Sequence, residues 1–251
     1  RYPEAKYLMD YGNSAVYGGT SCKYFSCGED MYEALLTELA KAENFIFMEY
    51  FIIEEGKMFS QIVNILIDKV KKGVEVRLMY DSLGSLSKAK DNSIRLLKAA
   101  GVECYEFNRL ISLMDNRYNN RDHRKICVID GNVGFTGGIN IADEYINVKE
   151  RFGHWKDTAI MLEGEAVQNL TMMFLQMWNV DVRKPEFDKY LNSVVLLQQK
   201  AEGYVIPYGD CPLDDDKLGE HVYMDMLNRS HKYVHIMTPY LILDGELETA
   251  I

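Results

Sequence analysis

One pattern limits the fold more than any other: between residues 45 and 107, short apolar runs alternate with amphipathic helical stretches. Phe45-Ile-Phe-Met-Glu-Tyr-Phe-Ile-Ile53 is dense in aromatic and β-branched residues, as a strand buried on both faces requires. A helix follows. Phe59, Ile62, Val63, Leu66 and Val70 recur at spacings of three and four, Lys69, Lys71 and Lys72 crowd the last turn, and Gly73 closes it. Val74 to Tyr80 reads as a second strand ending in Asp81, Ser93 to Ala100 as a second helix stopped by Gly101, and Val102 to Phe107 as a third strand. Strand, helix, strand, helix, strand implies right-handed crossovers, so the expectation is an α/β fold on a largely parallel sheet.

The pattern then changes. Asn108 to Asp122 is rich in Asn, Arg, Asp and Tyr and reads as a long polar loop, a type that tends to carry function. Arg124 to Asp130 and Val133 to Thr136 read as a hairpin about a Gly-Asn turn at 131 and 132. A strand is predicted over Lys156 to Leu162 and a long amphipathic helix from Gly164 to Trp178. Patterning weakens from Val180 to Pro212, which includes Pro185 and Pro207, so a linker is placed there. Beyond it Leu218 to Arg229 reads as a helix. His231-Lys-Tyr-Val-His-Ile-Met-Thr-Pro-Tyr240 resembles Glu43 to Tyr50, as if the opening scheme begins again about 190 residues later.

Composition narrows the function. The 251 residues are enough for one large or two modest domains. Thirty-eight acidic against twenty-eight basic residues leave a charge of −10, which argues against a protein whose main task is to hold a phosphate backbone. The five cysteines, at 22, 27, 104, 127 and 211, are an odd number without metal-ligand spacing and read as reduced thiols, so neither disulfides nor zinc are expected. The longest apolar run, Phe45 to Ile53, is about half of a bilayer span and contains Glu49, so no transmembrane segment is expected; with Arg1 first and patterning continuing to Ile251, both ends read as internal.

The stretch richest in chemistry is Asp122-His-Arg-Lys-Ile-Cys-Val-Ile-Asp-Gly-Asn-Val-Gly-Phe-Thr-Gly-Gly-Ile-Asn140. Side chains alternate along a strand, so His123 and Lys125 share a face while Asp130 has the other parity. Gly137-Gly138 allows close backbone approach, and Asn140 adds an amide donor. Such a set suits a phosphate diester: imidazole attacks phosphorus or protonates a leaving oxygen, while Lys125 and Asn140 stabilise the equatorial oxygens. The same residues also fit a plain strand entry followed by a turn.

The spacing His123-x-Lys125-x4-Asp130-x6-Gly137-Gly138-x-Asn140 resembles the HKD motif of the phospholipase D superfamily. The flanks Met48 to Ile52, Gly73 to Asp81, Gly134 to Asn140, His154 to Asp157 and Thr238 to Tyr240 are similar to bacterial cardiolipin synthases. This resemblance implies an α/β/α sandwich lobe with a mixed, largely parallel sheet. It places an N-terminal extension at 1–24, the first lobe at 25–180, a linker at 181–212 and the start of a second lobe at 213–251. It also implies two HKD motifs meeting at one site, one histidine forming a phosphohistidine and the other serving as acid and base. His123 is then the preferred nucleophile, Lys125, Gly137, Gly138 and Asn140 bind the phosphate, Asp130 is a structural motif residue, and Asp157 orients the histidine. Glu49, a carboxylate in an apolar strand, is either paired, for example with a motif residue, or at the strand's exposed end.

The reaction so implied moves a phosphatidyl group between two phosphatidylglycerols and releases glycerol. It needs no cofactor and no metal. Expected partners are the phospholipid, a membrane surface and a second HKD lobe in cis or from a second chain, with no nucleic acid; the expected place is the bacterial cell membrane, the site facing the cytoplasm. Because the chain stops before a second motif, it is expected to hold half an active site and to be inactive alone. Membrane contact is expected to depend on segments outside this chain or on a local basic patch such as Arg117, Arg121, Arg124 and Lys125, rather than on overall charge. Two other functions fit one motif: a homodimeric phospholipase D-type nuclease or phosphodiesterase, and a non-catalytic binding module.

Overall fold

A computed structural model describes residues 3–85, 90–108, 121–180, 184–191, 201–210 and 216–251, with the side chains of 90 and 91 left aside. The chain divides into two compact units, Gly18–Gly203 and a second made of Arg1–Tyr17 with Tyr204–Ile251.

The larger unit is built on seven strands: β1 (Thr20–Phe25), β2 (Phe45–Tyr50), β3 (Glu75–Asp81), β4 (Glu103–Phe107), β5 (Lys125–Ile129), β6 (Val133–Gly137) and β7 (Ala159–Gly164). They lie in the order β1-β7-β6-β5-β2-β3-β4. The sheet is mixed, as expected, but only β2 with β3 and β3 with β4 run parallel; every other neighbouring pair is antiparallel. The parallel part is the region of strand-helix alternation. Where hairpin chemistry takes over at Asp130, the chain turns back directly and pairing becomes antiparallel.

Helices α2 (Gly28–Leu39), α3 (Lys57–Lys71) and α4 (Lys90–Ala100) accompany that alternation, and α5 (Val167–Trp178) and the short α6 (Asp188–Leu191) follow the sheet. Helix α3 buries Phe59, Ile62, Val63 and Leu66, the face its spacing predicts. Gly73 and Gly101 take φ of +90° and +103° just after α3 and α4, a left-handed stop that glycine adopts without a Cβ clash. On one side of the sheet Ile46, Met48, Tyr50, Cys127 and Ile129 join the core formed with α2 and α3. The other side carries an aromatic stack in which Phe47 lies 4.7 Å from Phe174 of α5 and 4.9 Å from Tyr190 of α6. Strand β2 is therefore buried at every position, which explains its unbroken apolar run.

Three boundaries differ from the sequence reading. The β5–β6 turn is centred on Asp130 and Gly131, with φ of 51° and 67° and Asn132 N–H bonded to Ile129 O at 3.1 Å, one residue earlier than the Gly-Asn turn expected. This is the Asp-Gly arrangement that fits strand twist. Strand β7 starts at Ala159, so Asp157 precedes it. Helix α5 begins at Val167, because Gly164 at φ +126° still ends β7.

In the second unit α1 (Pro3–Asp10) packs on α7 (Leu218–Arg229) through Leu8, Leu218 and Val222, and α8 (Gly245–Ala250) follows. Helix α7 matches its prediction, but residues 231–240 form no strand and Tyr233, Ile236, Met237 and Tyr240 are exposed. An apolar strand gains its stability from neighbouring strands, and among the described residues of this unit no sheet is present to receive this one.

Candidate active site

The topology brings one set of strand ends together. β2 and β3 finish at Tyr50 and Asp81, antiparallel β5 starts there at Lys125, β6 ends there at Gly137, and β7 starts there at Ala159. His123, Lys125, Gly137, Gly138, Asn140 and Asp157 all belong to this edge. The far end of β5 holds Asp130.

His123 is exposed just before β5, with its ring 4.8 Å from that of Phe51. Lys125 lies on the same ring, Nζ 5.4 Å from its centroid, so the pair shares a face as the alternation predicts. Lys125 is 6 % exposed, and its Nζ donates to the His123 carbonyl oxygen at 2.5 Å. Burial lowers the Lys125 pKa to about 8, while Asp122 and Asp157 pull it up. His123 is also held below its ordinary value, first by desolvation of the face on Phe51 and then by the Lys125 charge, with Asp81 opposing. An imidazole whose charged form is disfavoured thus stands beside an ammonium whose pKa is lowered to about 8. A nitrogen nucleophile and a cation at one corner form a pair of the kind that can act on an anionic group.

The other residues divide into those beside this pair and those that build its walls. Asn140 is buried, its Oδ1 accepting from Ile52 N–H at 2.9 Å and its Nδ2 donating to Tyr145 OH at 2.8 Å. The amide therefore ties the segment after β6 to the exit of β2. Gly137 and Gly138 make room for the protein itself. A Cβ on Gly137 would lie 2.5 Å from Thr158 O, and one on Gly138 would lie 2.2 Å from Asp157 Oδ1. Asp157 accepts from Thr158 N–H at 2.8 Å and from Trp155 Nε1 at 3.3 Å, and acts electrostatically on Lys125. A shallow cleft at this edge includes Tyr50, Lys125, Thr136, Gly137 and Ile139 in its walls.

Asp130 is a structural anchor. Its carboxylate accepts from the main-chain N–H of Glu43, Asn44 and Phe45 at 2.8, 2.7 and 2.7 Å, fixing the start of β2 against the end of β5.

The sequence reading gave no role to Asp81, Asp122 or Phe51. Asp81 is fully buried and accepts from Leu83 and Gly84 N–H at 2.8 and 3.0 Å, from Arg121 Nη1 at 3.4 Å, and from Asp122 N–H at 3.0 Å. Its position at the carboxyl end of a parallel strand was the available signal, since sites in α/β sheets gather at such ends. Glu49, fully buried, points to the face away from His123, toward Asp122. The basic patch does not form an exposed surface in its described part: Lys125 is buried, the Arg121 side chain is 12 % exposed and paired with Asp81, and Arg124 donates to Met173 O at 3.4 Å. Arg117 lies outside the described residues. Among the described residues no helix is long and apolar enough to cross a membrane.

Comparison with known proteins agrees with this architecture. The sequence profile described as cardiolipin synthase, PLD-like domain, matches residues 35–178. A Streptococcus mutans protein bearing only the description uncharacterized is 51% identical over 250 residues, covering 100% of this chain and 54% of that protein. A Geobacillus cardiolipin synthase is 35% identical over 241 residues, covering 96% of this chain and 48% of that enzyme. The chain thus spans about half the length of the curated relatives it matches. In fold it is similar to Nuc of Salmonella typhimurium, a phospholipase D family member, with a TM-score of 0.50 at 17% identity over 64% of this chain and 93% of that one. A PLD-type mixed sheet whose strand ends gather His123, Lys125 and Asn140, and a profile that matches more than half of the residues, lead to one conclusion: the chain belongs to the family of cardiolipin synthase PLD-like domains.

Proposed function

We propose that this chain supplies one half of the active site of a phosphatidyltransferase that joins two phosphatidylglycerol molecules. The observation that carries the reading is the corner at which exposed His123 and the buried Lys125 ammonium rest on one Phe51 ring. In the first step the His123 imidazole attacks the phosphodiester phosphorus, and the bond to the glycerol headgroup breaks. A second histidine protonates the departing alkoxide, leaving a phosphatidyl-histidine. In the second step a headgroup hydroxyl of another phosphatidylglycerol attacks phosphorus, that second histidine takes its proton, and His123 is released. Lys125 and the Asn140 amide stabilise the equatorial oxygens in both steps. Asp157 keeps the Lys125 ammonium charged.

The second histidine belongs to a second HKD lobe, in cis or from another chain, and residues 213–251 begin that lobe after a linker over 181–212. The half-length match to cardiolipin synthases supports this division. Work on phosphatidylglycerol places the protein at the bacterial membrane with the site toward the cytoplasm. The −10 charge speaks against nucleic acid as substrate.

The test is transfer in phosphatidylglycerol vesicles, reading cardiolipin and free glycerol, with acid-labile phosphohistidine trapped and mapped by mass spectrometry. A protein carrying both lobes is expected to make cardiolipin and label at His123, His123→Ala to do neither, and this chain alone to show no turnover. Turnover by the monomeric chain overturns the half-site reading. Salt-sensitive DNA cleavage by a dimer, without lipid transfer, replaces the synthase with a nuclease.

A further inference from the structure

Behind His123, on the opposite face of the sheet, three carboxyls are buried. Glu49 and Asp81 are fully enclosed, and Asp122 is nearly so. Asp81 is well supplied with donors, as described above. Asp122 uses Oδ1 to accept the N–H of Arg124 at 3.1 Å, closing a turn across His123. Its Oδ2 and both oxygens of Glu49 receive no donor among the described residues. The two carboxyls nevertheless lie within hydrogen-bond reach of each other. Ionised carboxylates are acceptors only and repel, so a bond between them requires one proton.

The surroundings decide where that proton resides. Burial and the Asp122 charge raise the Glu49 pKa well above its ordinary value, and Arg124 opposes them. Asp122 is itself raised by burial and by Asp81, with Glu49 and Arg124 acting the other way. Helix α5, packed over this face, has no acidic or basic side chain, and Arg121 is engaged with Asp81. The bond between them raises Glu49 and lowers Asp122, so Glu49 is the carboxyl that stays neutral.

We propose that Glu49 and Asp122 share one proton and that the Glu49 O–H, by fixing the Asp122 carboxylate, positions the main chain around His123. Three bonds hold that segment: Asp122 N–H to Asp81, Arg124 N–H to Asp122, and Lys125 Nζ to His123 O. The first two run through Asp122, as its amide and as its side chain. Glu49 thus acts on His123 through its neighbour and is a positioning residue. The link to rate rests on the function proposed above; the acid pair does not.

Infrared spectra of the 251-residue chain with ¹³C-labelled Glu and Asp carboxyls, at pH 7, test the pair. A protonated-carboxyl band is expected in the wild type. It is lost in Glu49→Gln, and moves in frequency in Asp122→Asn, where the Glu49 O–H exchanges a carboxylate acceptor for an amide oxygen. A wild type without the band, or a band that Asp122→Asn leaves unmoved, overturns the shared proton. Positioning is read from the ring resonances and titration midpoint of His123 by NMR. Glu49→Gln, a neutral donor of the same shape, keeps both; Glu49→Leu, which fills the space without a donor, shifts both, with Glu49→Met as the second apolar variant should leucine not fold. An unmoved His123 in a folded apolar variant overturns the positioning role. In a protein that forms phosphohistidine, labelling at His123 is expected within about twofold of wild type in Glu49→Gln and slower by about tenfold or more in Glu49→Leu. Absence of phosphohistidine with the band behaving as expected removes the transferase reading and leaves the pair standing. Normal labelling of His123 with no band removes the pair alone.

Discussion

The Lys125 ammonium donates to the carbonyl oxygen of His123 at 2.5 Å, so the cation and the imidazole belong to one stiff corner rather than to two independent side chains. Phe51 lies against both, and its apolar ring displaces water that would otherwise stabilise either charge. The corner therefore favours a neutral histidine and holds a lysine that gives up its proton readily. For the proposed reaction the first effect favours a nucleophilic imidazole, whereas the second works against the cation and sets the alkaline limit of its charge.

The pH profile of kcat/KM should be bell-shaped. The acid limb reports His123 losing its proton, with a midpoint below the ordinary histidine value because burial and Lys125 disfavour imidazolium. The alkaline limb reports loss of the Lys125 ammonium near pH 8. In Lys125→Arg the guanidinium stays charged, so the alkaline limb attributable to this residue disappears even if the maximum rate falls. Stability follows the same shift with its own sign. The folded Lys125 pKa is depressed, so between about pH 8 and the ordinary lysine value the unfolded chain binds more protons and this group makes stability rise with pH. Urea unfolding of wild type and Lys125→Met across that window measures the difference.

Asp130→Ala should cost stability and leave the corner unchanged. Three main-chain N–H groups at 43, 44 and 45 lose a carboxylate acceptor. Water can reach Glu43 and Asn44, so the expected loss is about 2–3 kcal/mol rather than the sum for three buried charge-assisted bonds. Asp130→Asn should lose less, because an amide oxygen still accepts and asparagine tolerates the φ of 51°. Unfolding curves give the cost, and an unshifted His123 titration midpoint confirms that Asp130 acts only at the far end of β5.

These residues also show where a sequence speaks plainly and where it does not. His123 and Lys125 are two apart, and strand alternation alone puts them on one face. Helix α3 was legible because its apolar spacing and its glycine stop are local. Asp130 was harder, since its partners precede it by 85 residues and more and nothing near it names them. The role of Asp81 was hidden for the same reason: its bond to the Asp122 amide crosses 41 positions. Gly137 and Gly138 were legible as points of close approach, but the approaching group is Asp157 and the chain beside it as well as any ligand. Residues 231–240 carry a strand's composition without its neighbours, and propensity cannot supply those.

Glu49→Gln should stabilise the protein, increasingly so as pH rises. Glu49 has a raised folded pKa, so the folded state holds a proton that the unfolded chain releases above its ordinary carboxyl range. That makes wild-type stability fall with pH from there up to the folded pKa, by at most about 1.4 kcal/mol per pH unit. Glutamine has no proton to hold and escapes the loss. Urea unfolding at pH 5, 6, 7 and 8 should show the two proteins diverging; parallel curves would mean that Glu49 is ionised in the fold.

Gly138→Ala and Asp157→Asn should move the alkaline limb in the same direction for different reasons. The alanine Cβ would lie 2.2 Å from Asp157 Oδ1, so the carboxylate must turn away from its place near Lys125. Asparagine keeps the shape and removes the charge. In both proteins Lys125 loses a group that favours its ammonium, and its midpoint should fall below the wild-type value of about 8. Stability separates them. The alanine forces a shift against Asp157, itself held by Thr158 N–H and Trp155 Nε1, and should cost about 1–3 kcal/mol, whereas asparagine keeps an oxygen for Thr158 N–H and gives up only the longer 3.3 Å bond from Trp155, at little cost. A midpoint that moves in Gly138→Ala but not in Asp157→Asn would assign the effect to backbone displacement. A shift in both, with stability lost only in the first, makes Asp157 the electrostatic support of the Lys125 charge.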